Sequence, residues 1–309
     1  MARTHAQWKQ FAAELNIEGR AFINGAYTSA ADGKTFDCIN PANGQKLADI
    51  AWCGEAEVDA AVKAARAAFE SGAWSELAPL ARGKILKRFA ALIREHGDEL
   101  ALLETLDMGK PIQYSLSVDV PLAARCINWF GEAIDKVYDE IAPTAHTALA
   151  LIQREPVGVV GAIVPWNYPM LMAAWKLGPA LACGNSVVLK PSEKSPLSAL
   201  KLAELAIKAG LPAGVFNVVP GYGHEAGQAL ALHMDVDALG FTGSTRVGRQ
   251  MLAYSAQSNL KRVFNELGGK SAFIVFDDAD SIERAADTVA GSLFFNQGGT
   301  LGSMINTKA

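Results

Sequence analysis

From Pro156 onward the chain repeats one unit: an apolar run, a turn of glycine, proline or polar residues, then a segment of helical period. The first run is Val157–Gly158–Val159–Val160–Gly161–Ala162–Ile163–Val164, followed by Pro165–Trp166–Asn167–Tyr168–Pro169 and a helix reaching Cys183. Ser186–Val187–Val188–Leu189–Lys190 is a second strand, Val215 to Val219 a third, Ala238–Leu239–Gly240–Phe241–Thr242 a fourth and Lys261 to Glu266 a fifth. Helices are predicted between them over 196–209, 225–232 and 245–256. This alternation predicts a parallel sheet with helices on both faces, an α/β doubly wound, Rossmann-like fold. Ligands of such sheets sit at the carboxyl ends of the strands. Asn167, Lys190, Gly221, Ser244 and Glu266 all fall there.

The first half prepares that domain. Asn24–Gly25 between apolar flanks predicts a hairpin, and Asn40–Pro41–Ala42–Asn43–Gly44 a second turn before a short strand, Leu47–Ile50. Val58, Ala61, Val62, Ala65 and Phe69 mark one stripe of a helix over 55–70. Further helices are predicted over 79–96, 99–108 and about 118–137, the second stopped by Gly109 and Pro111. The stretch 139–155 alternates like exposed strands.

Composition narrows the function. With 50% hydrophobic and 19% charged residues, 309 residues can bury one large or two ordinary domains. A net charge of −4 offers no electrostatic case for nucleic acid, and no apolar run reaches membrane-spanning length. Cys38, Cys53, Cys126 and Cys183 are widely spaced, without a Cys-x-x-Cys pair. They read as free thiols of a reducing cytoplasm, and no metal site is expected.

Each candidate site residue has a plain alternative. Gly221-x-Gly223-x-x-x-Gly227 approaches a dinucleotide fingerprint, but its last spacing is one residue too long. Lys190 and Glu193 form either a solvated surface pair or a grip on ribose hydroxyls, where a carboxylate would repel a 2′-phosphate. Asn167 either caps the next helix or donates its amide to an oxyanion. Glu266 is either a strand-end surface carboxylate or a base set before Gly268–Gly269, where the backbone can approach a ligand closely.

Taken together and in order, Pro165–Trp166–Asn167–Tyr168–Pro169, Lys190–Pro191–Ser192–Glu193, Phe241–Thr242–Gly243–Ser244–Thr245 and Glu266–Leu267–Gly268–Gly269–Lys270 resemble the aldehyde dehydrogenase superfamily, over about residues 22–298. Glu104–Pro111 and Lys190–Pro196 resemble the branch acting on ω-amino aldehydes of polyamine breakdown. The resemblance implies residues 1–138 and 157–266 as an NAD-binding domain and 139–156 as an oligomerisation arm. Residues 267–309 would be the truncated start of a second α/β catalytic domain. It implies covalent oxidation of a small aldehyde: a cysteine thiolate attacks, Asn167 holds the oxyanion, hydride passes to the nicotinamide, and Glu266 activates water against the thioester. Lys190 and Glu193 would hold the adenosine ribose of NAD, with NADP possible, and Ser244 with the helix after it the pyrophosphate. Ile163, Pro165, Trp166, Gly223, Gly227, Phe241, Thr242, Gly243, Val247, Leu267 and Gly268 complete the implied cofactor site. Tyr168, Met172 and Trp175 would line the aldehyde tunnel, large apolar side chains that could equally belong to the core. Asp119 would meet a substrate ammonium. Full-length relatives are expected to be dimers or tetramers.

The likeness stops inside one motif. After Phe294–Phe295–Asn296–Gln297–Gly298 the family continues with Gln, a variable residue and the nucleophilic Cys, then runs far beyond. This chain reads Gly299–Thr300–Leu301–Gly302–Ser303–Met304 and ends at Ala309. Leu301 stands at the expected cysteine, and the hydroxyls of Thr300 and Ser303 have no visible base. A frame change or truncation is expected, leaving an apolar strand at Phe273–Phe276 unpartnered. Two readings follow: a dehydrogenase by descent whose chain is incomplete, or a non-catalytic remnant that binds dinucleotide or pairs with full-length subunits.

Overall fold

The computed structural model describes residues 3–269 and 272–299. Helix α1 (His5–Glu14) precedes a hairpin of β1 (Ala21–Ile23) and β2 (Ala26–Thr28). Its turn residues Asn24 and Gly25 have φ of 52° and 81°. Two successive positive φ values match the twist of the flanking strands, and Asn-Gly tolerates them best. A second hairpin pairs β3 (Thr35–Ile39) with β4 (Lys46–Ala51). Helices α2 (Glu55–Glu70), α3 (Pro79–Glu95), α4 (Gly97–Met108) and the single turn α5 (Ile112–Tyr114) follow.

The helix expected over about 118–137 is divided. A π-helical turn, Ser115–Asp119, leads into α6 (Val120–Ala133), and a 3-10 turn ends it at Lys136. An antiparallel pair, β5 (Glu140–Ala142) and β6 (Ala150–Ile152), then stands apart from the main sheet.

Beyond it come β7 (Val159–Ile163), α7 (Pro169–Ala182), β8 (Ser186–Lys190), α8 (Leu197–Ala209) and β9 (Phe216–Val218). A π-helical turn at Gly223–Gly227 opens α9 (Gln228–Leu232), and β10 (Ala238–Gly243), α10 (Thr245–Gln257) and β11 (Arg262–Leu267) complete the alternation. The seven-stranded sheet has the order β11-β10-β7-β8-β9-β1-β2. Its first five strands are parallel, as the sequence pattern requires. The N-terminal hairpin adds an antiparallel edge through Phe22 against Val218.

Alternate residues of the central strands feed two cores, because successive side chains on a strand point to opposite faces. Val187 and Leu189 pack with α3, α6, α7 and α8, while Val188 packs with α2 and α9. Residues of β8 are therefore buried on both faces, which is why that strand reads as an unbroken apolar run. On the first face, α3 meets α6 at Gly83, where a β-carbon would lie 2.3 Å from the carbonyl oxygen of Gly131. At the α6–α7 contact a β-carbon on Gly178 would strike the Phe130 ring at 2.6 Å.

Helix α7 is gripped at both ends. At its start the Met170 N–H donates to Glu104 Oε2 (3.3 Å). At its end the Ala182 carbonyl accepts from Arg82 Nε (2.9 Å) and the Leu181 carbonyl from Trp74 Nε1 (3.1 Å). These side chains satisfy backbone groups that the helix itself cannot, and the Arg82 guanidinium opposes the helix dipole at the C-terminal end.

Phe273–Phe276 does not form the expected strand. Residues 272–276 run outside regular structure, with Ile274 and Phe276 exposed, before α11 (Ile282–Phe294). Without strands on either side to supply a hydrogen-bonding ladder, an apolar run has no sheet to join. Among the described residues no helix is long and apolar enough to cross a membrane.

Buried Asn217 in β9 joins three segments: its Oδ1 accepts from the Asn24 N–H (2.9 Å), and its Nδ2 donates to the carbonyls of Gly214 (2.6 Å) and Val187 (3.4 Å). Asn217→Ala leaves those buried groups unpaired and is expected to lower stability by about 2 kcal/mol in urea unfolding.

Candidate active site

Two cavities open at the carboxyl edge of the parallel strands. The first, 620 Å³, is lined by Ile163, Pro165, Trp166, Lys190, Glu193, Gly223, Gly227, Phe241, Thr242, Gly243, Ser244, Val247 and Gly268, thirteen of the residues singled out for a cofactor. The second, 450 Å³, is lined by Tyr168, Met172, Trp175, Glu266 and Leu267, with Val118, Leu122, Leu171 and Phe295. Pro165, Asn167 and Thr242 belong to both, so the cavities meet where Asn167 sits. Leu267 faces the second cavity, not the first.

Strand register sets this convergence. Ile163 of β7 pairs with Lys190 of β8 on one side and Phe241 of β10 on the other, while Thr242 pairs with Glu266 of β11. Lys190 is buried, not a solvated surface residue, and its Nζ lies 3.2 Å from Glu193 Oε2. Burial pushes the Lys190 ammonium below its ordinary pKa, against the pull of Glu193. Burial also acts upward on Glu193, but Lys190 and a backbone donor outweigh it and hold that carboxyl below the usual range. The pair is thus a charged carboxylate with a neighbouring donor, the set that recognises a vicinal diol.

Ser244 caps α10, its Oγ accepting from the Val247 N–H at 3.3 Å, and no acidic residue stands in the first turn. The N-terminus of a thirteen-residue helix, free of negative charge, therefore faces the first cavity. A β-carbon on Gly223 or Gly268 would meet nothing within 4 Å. That open room beside the backbone suits the close approach of a phosphorylated ligand. The residues present fit a dinucleotide.

Asn167 is not the helix cap. Tyr168 holds the cap position of α7 without capping it through its side chain, and Glu104 takes the role instead. Asn167 is 4% exposed; its Nδ2 donates to the Gly299 carbonyl, and its own carbonyl accepts from Asn296 Nδ2 (2.9 Å). Asn296, Gln297 and Gly298 have φ of 54°, 56° and 70°. Three consecutive left-handed residues turn the chain back so that Gly299 meets the amide. The position of Leu301 lies outside the described residues.

Asp119 corrects the expectation of a substrate-ammonium partner. It is fully buried, its Oδ1 accepts from Lys110 Nζ at 2.7 Å, and it does not line the second cavity. A cation from the same chain already occupies it. Lys176 was not singled out by sequence: it reads as one more residue of α7, yet its Nζ donates to Thr242 Oγ1 at 2.6 Å. Burial pushes the Lys176 ammonium down to about 8, with Glu266 opposing the shift.

Folding lowers the Lys176 pKa, so the folded state binds fewer protons than the unfolded chain between about 8 and the ordinary 10.5. Its contribution to stability therefore rises with pH across that window and is lost as pH falls toward 8. NMR titration of the lysine side chain is expected to give a midpoint about 8, and a lower one in Glu266→Gln, which removes the opposing charge.

The chain is 57% identical over 293 residues to the NADP/NAD-dependent aldehyde dehydrogenase PuuC of Escherichia coli, an alignment covering 95% of this chain and 59% of that protein. The structure superposes on indole-3-acetaldehyde dehydrogenase complexed with NAD+ with a TM-score of 0.96 at 60% identity, covering 98% of this chain and 61% of that one. For γ-glutamyl-γ-aminobutyraldehyde dehydrogenase of Burkholderia cenocepacia the TM-score is 0.95 at 60% identity, again over 98% and 61%. The chain thus spans about 60% of the length of these relatives. With residues 27–300 matching the model of the aldehyde dehydrogenase family, the chain belongs to that family.

Proposed function

We propose that the chain is the NAD-binding portion of an enzyme that oxidises a small aldehyde to its carboxylic acid, and that these 309 residues alone bind NAD without turning over. The observation that carries this reading is the meeting of the two cavities at Asn167 and Thr242. Lys190 and Glu193 stand in the first, and Glu266 in the second.

When bound, the nicotinamide supplies the two-electron acceptor that aldehyde oxidation needs. The chain's residues do the rest. Glu193 accepts from the ribose diol, and its charge disfavours a 2′-phosphate, giving NAD preference over NADP. The start of α10 faces the pyrophosphate. Asn167 Nδ2 donates toward an oxyanion in a site screened from water, where a fixed neutral donor is worth most. Glu266 holds a carboxylate at the cavity wall to take a proton from attacking water.

The reading without turnover rests on the nucleophile. Cys38 and Cys53 are buried, burial pushes their thiols far up, and no cysteine lines the second cavity among those residues. Leu301 stands at the position the resemblance assigns to the thiolate. The four free thiols fit a cytoplasmic setting. An ω-amino aldehyde of polyamine catabolism is the substrate class we favour for the whole enzyme, supported by the likeness to γ-glutamyl-γ-aminobutyraldehyde dehydrogenase.

A second reading rests on the β5–β6 hairpin, where Ile141, Leu151 and Leu149 just ahead of β6 are each at least 66% exposed. Monomers rarely leave so much contiguous apolar surface uncovered, and pairing with another subunit through this hairpin accounts for it. Residues 139–156 then act as the arm, 1–138 and 157–266 as the dinucleotide domain, and the chain as a partner for full-length subunits. Leu151→Lys is expected to abolish that association in sedimentation velocity; unchanged association would exclude the hairpin.

Calorimetric titration tests the main reading. NAD is expected to bind, Lys190→Met to weaken it about tenfold, and Glu193→Gln to narrow the NAD over NADP preference. With NAD and an amino aldehyde, no steady NADH formation is expected from the purified chain. Sustained turnover would refute the missing nucleophile, and absence of NAD binding would refute the cofactor site.

A further inference from the structure

Behind the wall of the second cavity lies a buried group of three ionisable side chains. Lys110, Glu104 and Asp119 are 1%, 0% and 0% exposed. Lys110 Nζ donates to Asp119 Oδ1 at 2.7 Å and lies 4.0 Å from Glu104 Oε1. Three local features bring them together. Glu104 sits on α4, which ends at Gly109 with φ of 78°, a left-handed cap that turns the chain so Lys110 points inward. Asp119 closes the π-helical turn one residue after Val118, a lining residue of the cavity.

The third ammonium contact is aromatic. Lys110 Nζ lies 4.4 Å from the centroid of the Tyr168 ring. Tyr168 is itself a wall of the second cavity and directly follows Asn167. Glu104, the more distant carboxylate, grips the Met170 N–H two residues further on. One charged group thus touches both the ring and, through Glu104, the start of the helix that carries Met172 and Trp175. Buried cations on ring faces are among the stronger contacts of this kind, because no water competes for the charge.

We infer that Lys110 is a positioning residue for the second cavity: its ammonium anchors the Tyr168 ring and so sets the shape of carbonyl compound the cavity accepts. The specificity part rests on the cavity being the aldehyde's, while the anchoring does not. Two carboxylates share one ammonium, and burial followed by the Asp119 charge pushes Glu104 upward. The cluster therefore favours a state in which one carboxyl carries a proton, leaving Lys110 paired with Asp119 and free to face the ring.

The test uses the 309-residue chain labelled at tyrosine rings and lysine ammonium groups, with benzamide and hexanamide as unreactive flat and linear carbonyl probes. In the unaltered chain the Tyr168 ring is expected to flip slowly, the Lys110 ammonium protons to be shifted upfield, and benzamide to bind about fivefold more tightly. Lys110→Met is expected to free the ring and bring the two dissociation constants together. Because that change strands two buried carboxylates, Tyr168→Leu supplies a second arm that keeps the cluster intact. There the upfield shift and the preference should both vanish, while Tyr168→Phe, which retains the ring face, should restore both.

A ring that stays immobile in folded Lys110→Met, or ammonium protons indifferent to Tyr168→Leu, would overturn the anchoring. A mobile ring in Lys110→Met with the benzamide preference intact would overturn the specificity role. If neither amide perturbs Tyr168 in the unaltered chain, the aldehyde-cavity reading falls and the specificity role with it, and the ring measurement alone decides the anchoring.

Discussion

Parallel register is the constraint on which the site depends. Ile163 opposes Lys190 and Phe241, and Thr242 opposes Glu266, so β7, β8, β10 and β11 end nearly level. A slip of one residue in any pair would carry its side chains to the opposite face and send Lys190 or Glu266 away from the edge. The register is fixed from behind, by the two apolar cores. Val187 and Leu189 must enter one and Val188 the other, and no pairing shifted by one residue satisfies both. The geometry of the polar edge is thus set by the packing of groups that never touch a ligand.

How much of this the sequence shows depends on whether a residue's role is local. Strands β7 to β11 were legible because apolar runs bounded by Gly, Pro and Asn recur at the spacing of crossover units. The Asn24–Gly25 turn was legible because the φ values it needs are a property of those two residues. The convergence of Asn167, Lys190, Ser244 and Glu266 followed from strand ends alone. Burial was harder. Their own residues leave Lys190 and Glu193 open between a solvated pair and a grip on a diol, and only the fold shows that the lysine is buried.

Partnership across the chain was hidden. Asp119 looked available because its partner Lys110 stands nine residues back and beyond a proline, with nothing local to pair the two. Only the left-handed turn at Gly109 and the π-helical turn before α6 bring the two together. The cap of α7 came from Glu104, sixty-six residues away, where local reading offered Asn167. Lys176 carried no signal at all, since its lowered pKa arises from burial within the fold, opposed by Glu266 on β11. The strand expected at Phe273–Phe276 failed for a related reason: apolar alternation states what a segment could pair with, not that a partner exists.

Helix α7 is held by a carboxylate at one end and by a guanidinium and an indole at the other, and Gly178 lets α6 lie hard against it. Its backbone is therefore fixed independently of the side chains it shows to the second cavity. Trp175, exposed at the cavity wall, can be exchanged without moving the frame that holds Asn167 and the strand ends. Such a separation lets a lineage reshape the cavity by single substitutions at its wall while the frame behind it is inherited unchanged.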